Sequence, residues 1–408
     1  MLNTASDLLN AAFENDASPL WTSDDTLVLL NPRLPPAQRE ALLAAQAPMP
    51  FLPAHVWLTT SGSGGVKWVA LSKQALLRSA EAVNAHLGST AADRWALALP
   101  SFHVGGLGVL ARGFLSGAPV ARYADDRGEP RWNAPAFHAF LRNNRCTLTT
   151  LVPTQLHDLV QAGLQSPPAL RALVVGGGAL APDLYGRARA RGWPVLPSYG
   201  LSECCSQVAT ASLSSLAGDN AADNPPLVLL SHVEAQVGEE GRIALRSASL
   251  LTGYGLVEEG PGRVPRFADP KSASGWFVTE DRGRVDGDVL AMLGRTSDFV
   301  KIGGESVDVA RLQRLWDTLS PPPNLMGETV LIAAPDTRLG AAIHLVAAAS
   351  GPNAQAALEQ AITRFNQQVL PFERVQHWHQ VERLPRSPLG KLLRTDLLRL
   401  LGFGTSLN

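Results

Sequence analysis

The chain has 408 residues, 45% of them hydrophobic and 17% charged, and a formal net charge of -1. That length and composition fit a globular chain with two or more domains or subdomains, and the near-neutral charge excludes a general pull toward nucleic acid or an anionic membrane. The three cysteines, Cys146, Cys204 and Cys205, form neither a disulfide framework nor a zinc spacing, which fits a reducing compartment. Met1 to Asp16 lacks a basic start and carries Asp7, Glu14 and Asp16, and no run of about eighteen apolar residues occurs. Neither a signal peptide nor membrane insertion is expected, and the chain reads as cytoplasmic.

Short helical patterns cover Ser6 to Phe13 and Pro35 to Gln46. Val56-Trp57-Leu58 then reads as a strand end and Val69 to Ser72 as a strand restart. Between them lies Thr59-Thr60-Ser61-Gly62-Ser63-Gly64-Gly65-Val66-Lys67. Glycines let backbone N–H groups turn toward one anion, hydroxyls add donors and a lysine adds charge, so the run reads as a phosphate loop. It lacks the spacing of the P-loop nucleotide triphosphatases. A Gly/Ser hairpin without a ligand is the other reading of the same residues.

Ser72 is placed to cap a helix from Lys73 to Leu87, and Trp95 to Leu99 reads as the next strand, so strand, helix and strand suggest a parallel βαβ unit. Ser101-Phe102-His103-Val104-Gly105-Gly106 follows at a strand's carboxyl end, where open α/β sheets place ligands. His103 is a candidate there, against the alternative of a histidine hydrogen-bonded in a turn. The alternation continues with a helix over Leu107 to Ser116, a strand over Pro119 to Tyr123, a helix over Trp132 to Asn143 and a strand over Thr147 to Val152. Thr154 is expected to cap the helix that runs to Gly163.

Leu170 to Val175 reads as a strand entering Gly176-Gly177-Gly178, whose bare backbone admits something flat or serves only as a tight turn. Val195 to Ser198 leads into Tyr199-Gly200-Leu201-Ser202-Glu203, where a hydroxyl and a carboxylate after a glycine can bind phosphate and a hard cation together. The same pair could simply start a helix. Leu213 to Asn224 reads as a surface loop, and residues 227–284 as β structure containing Thr279-Glu280-Asp281-Arg282-Gly283. The composition shifts after Gly294-Arg295 toward a small α+β domain. Its tail holds a lysine at the end of the turn Pro385-Arg386-Ser387-Pro388-Leu389-Gly390-Lys391.

The ordered set resembles the superfamily of adenylate-forming enzymes that includes acyl-CoA synthetases. Thr60 to Lys67 is similar to its phosphate loop, Tyr199 to Glu203 to its Tyr-Gly-x-Thr-Glu motif, and Gly275-Trp276-Phe277 through Asp281 to its Gly-Trp-Phe-x-Thr-Gly-Asp motif. Gly294-Arg295 through Gly303-Gly304-Glu305 resembles its hinge segment, and Pro385 to Lys391 its terminal Pro-x-x-x-x-Gly-Lys. The middle of the chain, with Phe102-His103-Val104, Leu151 to Leu156 and the glycine turn, is similar to the o-succinylbenzoate-CoA ligases of menaquinone or phylloquinone synthesis. The resemblance runs from about Trp57 to Leu398, and most of the subdomain usual ahead of the phosphate loop is missing.

The resemblance implies an α/β fold: a large domain over residues 1–294, with parallel and mixed sheets layered with helices and a β-rich part over about 227–294, and a small mobile α+β domain over 295–408. It implies acyl-adenylate formation from ATP, then transfer to CoA, with a small carboxylic acid as the other partner. Lys391 would neutralise charge between carboxylate and α-phosphate. Glu203 would hold Mg2+, Ser202 and Tyr199-Gly200 would touch the nucleotide, and Thr60, Ser61, Gly62, Ser63, Gly64, Gly65 and Lys67 would take its phosphates. Gly176, Gly177 and Gly178 would flank adenine, Asp281 and Arg295 would grip the ribose, Gly303 and Gly304 would face CoA, and His103 would close the acyl pocket. Loading of a carrier protein and a non-catalytic nucleotide-binding role are the alternatives. The chain departs from the pattern where no proline precedes Lys67, where Gly64 replaces a hydroxyl, where Glu280 replaces a glycine, and where Ser297, followed by Asp298, stands at the hinge aspartate.

Overall fold

The computed structural model describes residues 18–32, 34, 36–62, 65–123, 132–218, 223–256, 266–295, 299–302, 305–319, 329–336, 339–348, 354–387, 390 and 392–403. The helix expected over Ser6 to Phe13 lies outside them. The chain divides into two compact units, Met1–Thr279 with Gly283–Ala291, and Glu280–Arg282 with Met292–Asn408.

The first unit opens with α1 (Ser18–Thr22), β1 (Leu27–Leu29) and α2 (Pro36–Gln46), followed by β2 (His55–Gly62), β3 (Gly65–Ser72) and α3 (Lys73–Leu87). Ser72 caps α3 as its sequence suggests: its backbone is extended and its hydroxyl accepts from Ala75 N at 3.0 Å. Next come β4 (Trp95–Leu97), α4 (Val104–Ser116), β5 (Val120–Arg122), α5 (Ala134–Asn143), β6 (Leu148–Leu151), α6 (Pro153–Gln161), β7 (Ala172–Val175), α7 (Pro182–Ala190) and β8 (Val195–Leu201). The cap of α6 is Val152 and not Thr154, because Pro153 takes the first helical position, where its missing N–H costs nothing. The β-rich part then runs through β9 (Ser206–Thr210), β10 (Leu227–Leu229), β11 (Val233–Val237), β12 (Arg242–Ser247), β13 (Gly253–Leu256), β14 (Arg266–Ala268), β15 (Phe277–Asp286) and β16 (Val289–Arg295).

The strands assemble into a sheet ordered β1-β2-β3-β13-β14 and a larger one ordered β11-β12-β15-β16-β10-β9-β8-β7-β6-β4-β5. The first expected βαβ unit is therefore not one. β2 and β13 occupy both edges of β3, so α3 carries the chain from one sheet into the other. The later alternation does build a parallel sheet, with Trp95 paired to Val120 on one side and to Leu148 on the other, and with β6, β7 and β8 in parallel succession. From β4 the chain goes one way to β5 and the other way to β6, which opens a crevice at the carboxyl ends of β4 and β6. Beneath that sheet, Phe137, Leu141, Leu156, Leu159, Tyr185 and Trp193 bury the apolar stripes of α5, α6 and α7.

The second unit contains the hairpin of β17 (Phe299–Ile302) and β18 (Glu305–Asp308), then α8 (Val309–Thr318), β19 (Thr329–Asp336), β20 (Gly340–Ala347), α9 (Ala354–Asn366), β21 (Val375–Gln380) and α10 (Arg394–Leu400). β19 and β20 pair antiparallel, and α9 crosses over to set β21 parallel to β20. Trp316 and Phe365 pack on one face of this sheet, while Val330, Ile332 and Val346 meet Leu397 of α10 on the other. Among the described residues no helix is long and apolar enough to cross a membrane.

Candidate active site

The glycine-serine run is the tip of a hairpin. Antiparallel pairing continues from His55–Ser72 to Thr60–Lys67 and Gly62–Gly65, and Ser63 and Gly64 lie outside the described residues. The ladder engages backbone groups on both arms, which leaves the half-buried Thr59 and Thr60 and the amine of Lys67 as donors for an anion. β13 flanks this hairpin with Tyr254 opposite Val69 and Leu256 opposite Lys67. Tyr254 and Lys67 are thus diagonal neighbours on one face, and the Lys67 ammonium lies 5.5 Å from the centre of the Tyr254 ring.

The Tyr199 to Glu203 run folds at the end of β8. A bulge separates Tyr199 from Gly200, and a Cβ on Gly200 would overlap the Ser206 carbonyl oxygen, so only glycine fits. Ser202–Cys204 form a single 3-10 turn, after which Cys205 and Ser206 adopt positive φ of 53° and 107° and reverse the chain into β9. The carbonyl of Glu203 accepts from Leu251 N at 2.8 Å. Its carboxylate is half-buried and accepts from the Tyr254 hydroxyl at 2.8 Å. Lys67, Tyr254 and Glu203 therefore stand together, although they come from three separate stretches of sequence. An ammonium and a carboxylate held apart by a phenol suit a phosphate with a hard cation, since Mg2+ uses one or two carboxylates beside phosphate oxygens.

The glycine turn follows β7. Gly176 N donates to Leu151 O at 3.1 Å, a Cβ on Gly176 would stand 3.1 Å from the Ser198 carbonyl oxygen, and Gly177 has φ 77°. Gly177 and Gly178 are exposed beside Val152 and Pro153, so bare backbone faces outward at the carboxyl end of the sheet.

His103 begins α4. Its carbonyl accepts from Gly106 and Leu107, and its ring lies 4.6 Å from that of Phe102. Burial pushes its pKa below the ordinary 6.5, so the imidazole is neutral at pH 7. Nine residues along the same helix stands Arg112, which the sequence reading does not single out. Arg112 is 1% exposed; Nη1 lies 3.4 Å from the Thr150 hydroxyl, Nη2 lies 3.4 Å from the Ser206 hydroxyl, and its guanidinium carbon sits 5.4 Å from the Trp95 ring centre. Among the described residues its Nε has no partner, and neither amide atom of the buried Gln207 has one. Burial lowers the guanidinium pKa to about 10, which leaves it charged. An uncompensated buried charge of this kind costs several kcal/mol. The signal available in the sequence was one arginine inside the apolar run from Leu107 to Leu115.

Asp281 is buried on β15, and Arg295 ends β16, with its side chain outside the described residues. In the second unit the terminal turn is closed by a bridge between Arg386 and Leu392, by Gly390 N donating to Ser387 O at 2.8 Å, and by Arg386 Nη1 donating to Gly390 O at 2.9 Å. Lys391, Gly303 and Gly304, and the hinge positions Ser297 and Asp298, lie outside the described residues. Among the described residues no group of three or more histidines, cysteines or carboxylates is arranged to hold a metal ion.

Residues 23–255, more than half of the chain, match the model of the AMP-binding enzyme family. The chain belongs to that family. Among curated relatives, the chain is similar to the 2-succinylbenzoate–CoA ligase of Bacillus licheniformis, with 29% identity over 352 residues that cover 84% of this chain and 69% of the relative. The same-named enzyme of Enterococcus faecalis is 26% identical over 71% of this chain and 58% of its own length, and that of Bacillus subtilis 27% identical over 76% and 62%. In fold, the chain is similar to solved structures of the o-succinylbenzoate CoA synthetase of Bacillus subtilis. Its complex with the acyl-adenylate intermediate OSB-AMP has a TM-score of 0.74 at 22% identity, covering 97% of this chain and 92% of that one. Its complex with ATP and magnesium ion also has a TM-score of 0.74, at 21% identity, with coverage of 96% and 94%.

Proposed function

We propose that this chain is a cytoplasmic AMP-forming acid–CoA ligase whose substrate is an aromatic diacid, o-succinylbenzoate. The observation that carries the choice of acid is Arg112. A buried guanidinium without a carboxylate partner among the described residues, set between Thr150 of β6 and Ser206 of β9, suits a substrate that keeps one carboxylate for recognition while the other reacts. The names of the similar curated ligases support the same acid.

In this reading a carboxylate oxygen of the succinyl arm attacks the α-phosphorus of ATP, and pyrophosphate leaves. The CoA sulfur then attacks the acyl carbon, and AMP leaves. Lys67 with Thr59 and Thr60 steers the outer phosphates, and the bare backbone of Gly176 to Gly178 gives the adenine a flat approach. Asp281 and Arg295 take the ribose hydroxyls. The single half-buried carboxylate of Glu203, one oxygen already fixed by Tyr254, fits a Mg2+ that shares its remaining ligands with phosphate. Bound there, Mg2+ offsets charge on the phosphate oxygens. Neutral His103 closes the acyl pocket. Residues 1–294 would form the adenylating domain, and residues 295–408 a mobile domain that brings Lys391 to the α-phosphate and Gly303-Gly304 to CoA.

The test is pyrophosphate release by the purified chain with ATP, Mg2+, CoA and a panel of carboxylic acids. Release specific to o-succinylbenzoate, with formation of its thioester, is expected. Absence of acid-dependent pyrophosphate release across the panel would sink the ligase reading, and thioester formation only on a carrier protein would replace CoA as acceptor.

A further inference from the structure

We propose that Tyr254 is a positioning residue that holds the Glu203 carboxylate in its cation-binding orientation and keeps Lys67 from pairing with it. The proposal rests on reading Glu203 as the residue that binds the divalent cation. Three contacts carry it. The Tyr254 hydroxyl donates to Glu203 Oε1 at 2.8 Å, the Lys67 ammonium stands 5.5 Å over the Tyr254 ring, and Leu251, three residues before Tyr254, donates its N–H to the Glu203 carbonyl at 2.8 Å.

These contacts have a common physical effect. A glutamate side chain in a 3-10 turn has several rotamers open to it, and a carboxylate that rotates cannot present one oxygen steadily to a cation. Leu251 anchors the main chain and the phenol anchors one oxygen, so the second oxygen keeps a fixed direction. The backbone of Tyr254 is itself held by the ladder between β13 and β3, with Tyr254 opposite Val69. The phenol is thus a rigid post and not a loop side chain that happens to touch Glu203.

The ring also separates two opposite charges. Lys67 and Glu203 flank the same tyrosine, and without it a four-carbon lysine stem could swing its ammonium onto the carboxylate. Such a pair would neutralise both groups, removing the cation ligand and the phosphate donor in one contact. With the ring between them, the ammonium rests on a π face, and each charge stays available for its own partner. The hydroxyl and the ring therefore have separable roles: one orients, the other spaces.

The experiment is calorimetric titration of ATP into the full chain, with Mg2+ and separately with EDTA, for wild type, Y254F, Y254L, E203Q and the E203Q/Y254F double variant. Y254F keeps the ring and is expected to weaken ATP binding in Mg2+ by roughly ten- to a hundredfold while leaving binding in EDTA unchanged, the loss appropriate to one hydrogen bond to a charged group. Y254L is expected to weaken binding in both conditions, because Lys67 is then free to pair with Glu203. In the E203Q background, removal of the hydroxyl should change nothing further, which a merely structural role for Tyr254 would not produce. A wild type whose affinity depends on Mg2+, matched by Y254F, would overturn the role of Tyr254 alone. A wild type whose affinity is the same with Mg2+ and with EDTA would overturn the reading of Glu203 and the proposal with it.

Discussion

Arg112 Nη1 sits 3.4 Å from the Thr150 hydroxyl, and no carboxylate among the described residues offsets its charge. Replacing an unpaired buried charge by an apolar side chain of similar length removes a desolvation cost, so Arg112→Met should leave the ligand-free protein equally stable or more stable by about 1–3 kcal/mol. The same change should weaken use of a diacid by about 2 kcal/mol or more and affect a monocarboxylic acid much less. Thermal unfolding of the free protein and KM values for the two classes of acid check both halves. A variant that is less stable and equally poor with both acids would assign Arg112 to the core alone.

Gly200 tests whether the turn that presents Glu203 is set by close backbone approach. A methyl group at this position would collide with the Ser206 carbonyl, and backbone on both sides would have to move. Gly200→Ala should cost about 3 kcal/mol. It should also lower Mg2+-dependent ATP binding, because Glu203 follows three residues later. Unfolding scans with and without ATP and Mg2+ measure both effects.

The cap at Ser72 lies away from these groups and serves as a contrast. Ser72→Ala removes the acceptor for Ala75 N and should cost about 1 kcal/mol of stability without changing kcat. A large loss of kcat would mean that α3 transmits strain to the hairpin it follows.

Acid should destabilise the second unit through a histidine cluster. His344 is 5% exposed, its Nδ1 lies 2.8 Å from His379 Nε2, and its ring packs near His377 and Phe403. Burial first, then the two neighbouring histidines, lower its pKa to about 4 against an opposing pull from Asp336. The unfolded chain takes up a proton near pH 6.5 and the folded chain only near 4, so this stability is complete above 6.5 and is lost as pH falls toward 4. The expected loss is about 3 kcal/mol, read as a falling unfolding temperature between pH 7 and 4.5. His344→Phe should flatten that profile.

Local chemistry was legible in the residues themselves. Ser72 and the apolar spacing after it define α3, and the repeated alternation from Trp95 to Val195 yields the parallel sheet, because each of these depends on neighbours within a turn or two. The order of the motifs likewise led to the family. What the residues could not decide was which distant strands share an edge. β3 pairs with β13 almost two hundred positions later, so the strand before α3 belongs to a different sheet from the strand after it. That same pairing carries Tyr254 to Lys67 and Glu203, and helix packing buries Arg112 between Thr150 and Ser206. Periodicity reports which face of an element is buried. Only tertiary structure decides what that face meets, because long-range pairing and side-chain desolvation depend on the whole packed chain.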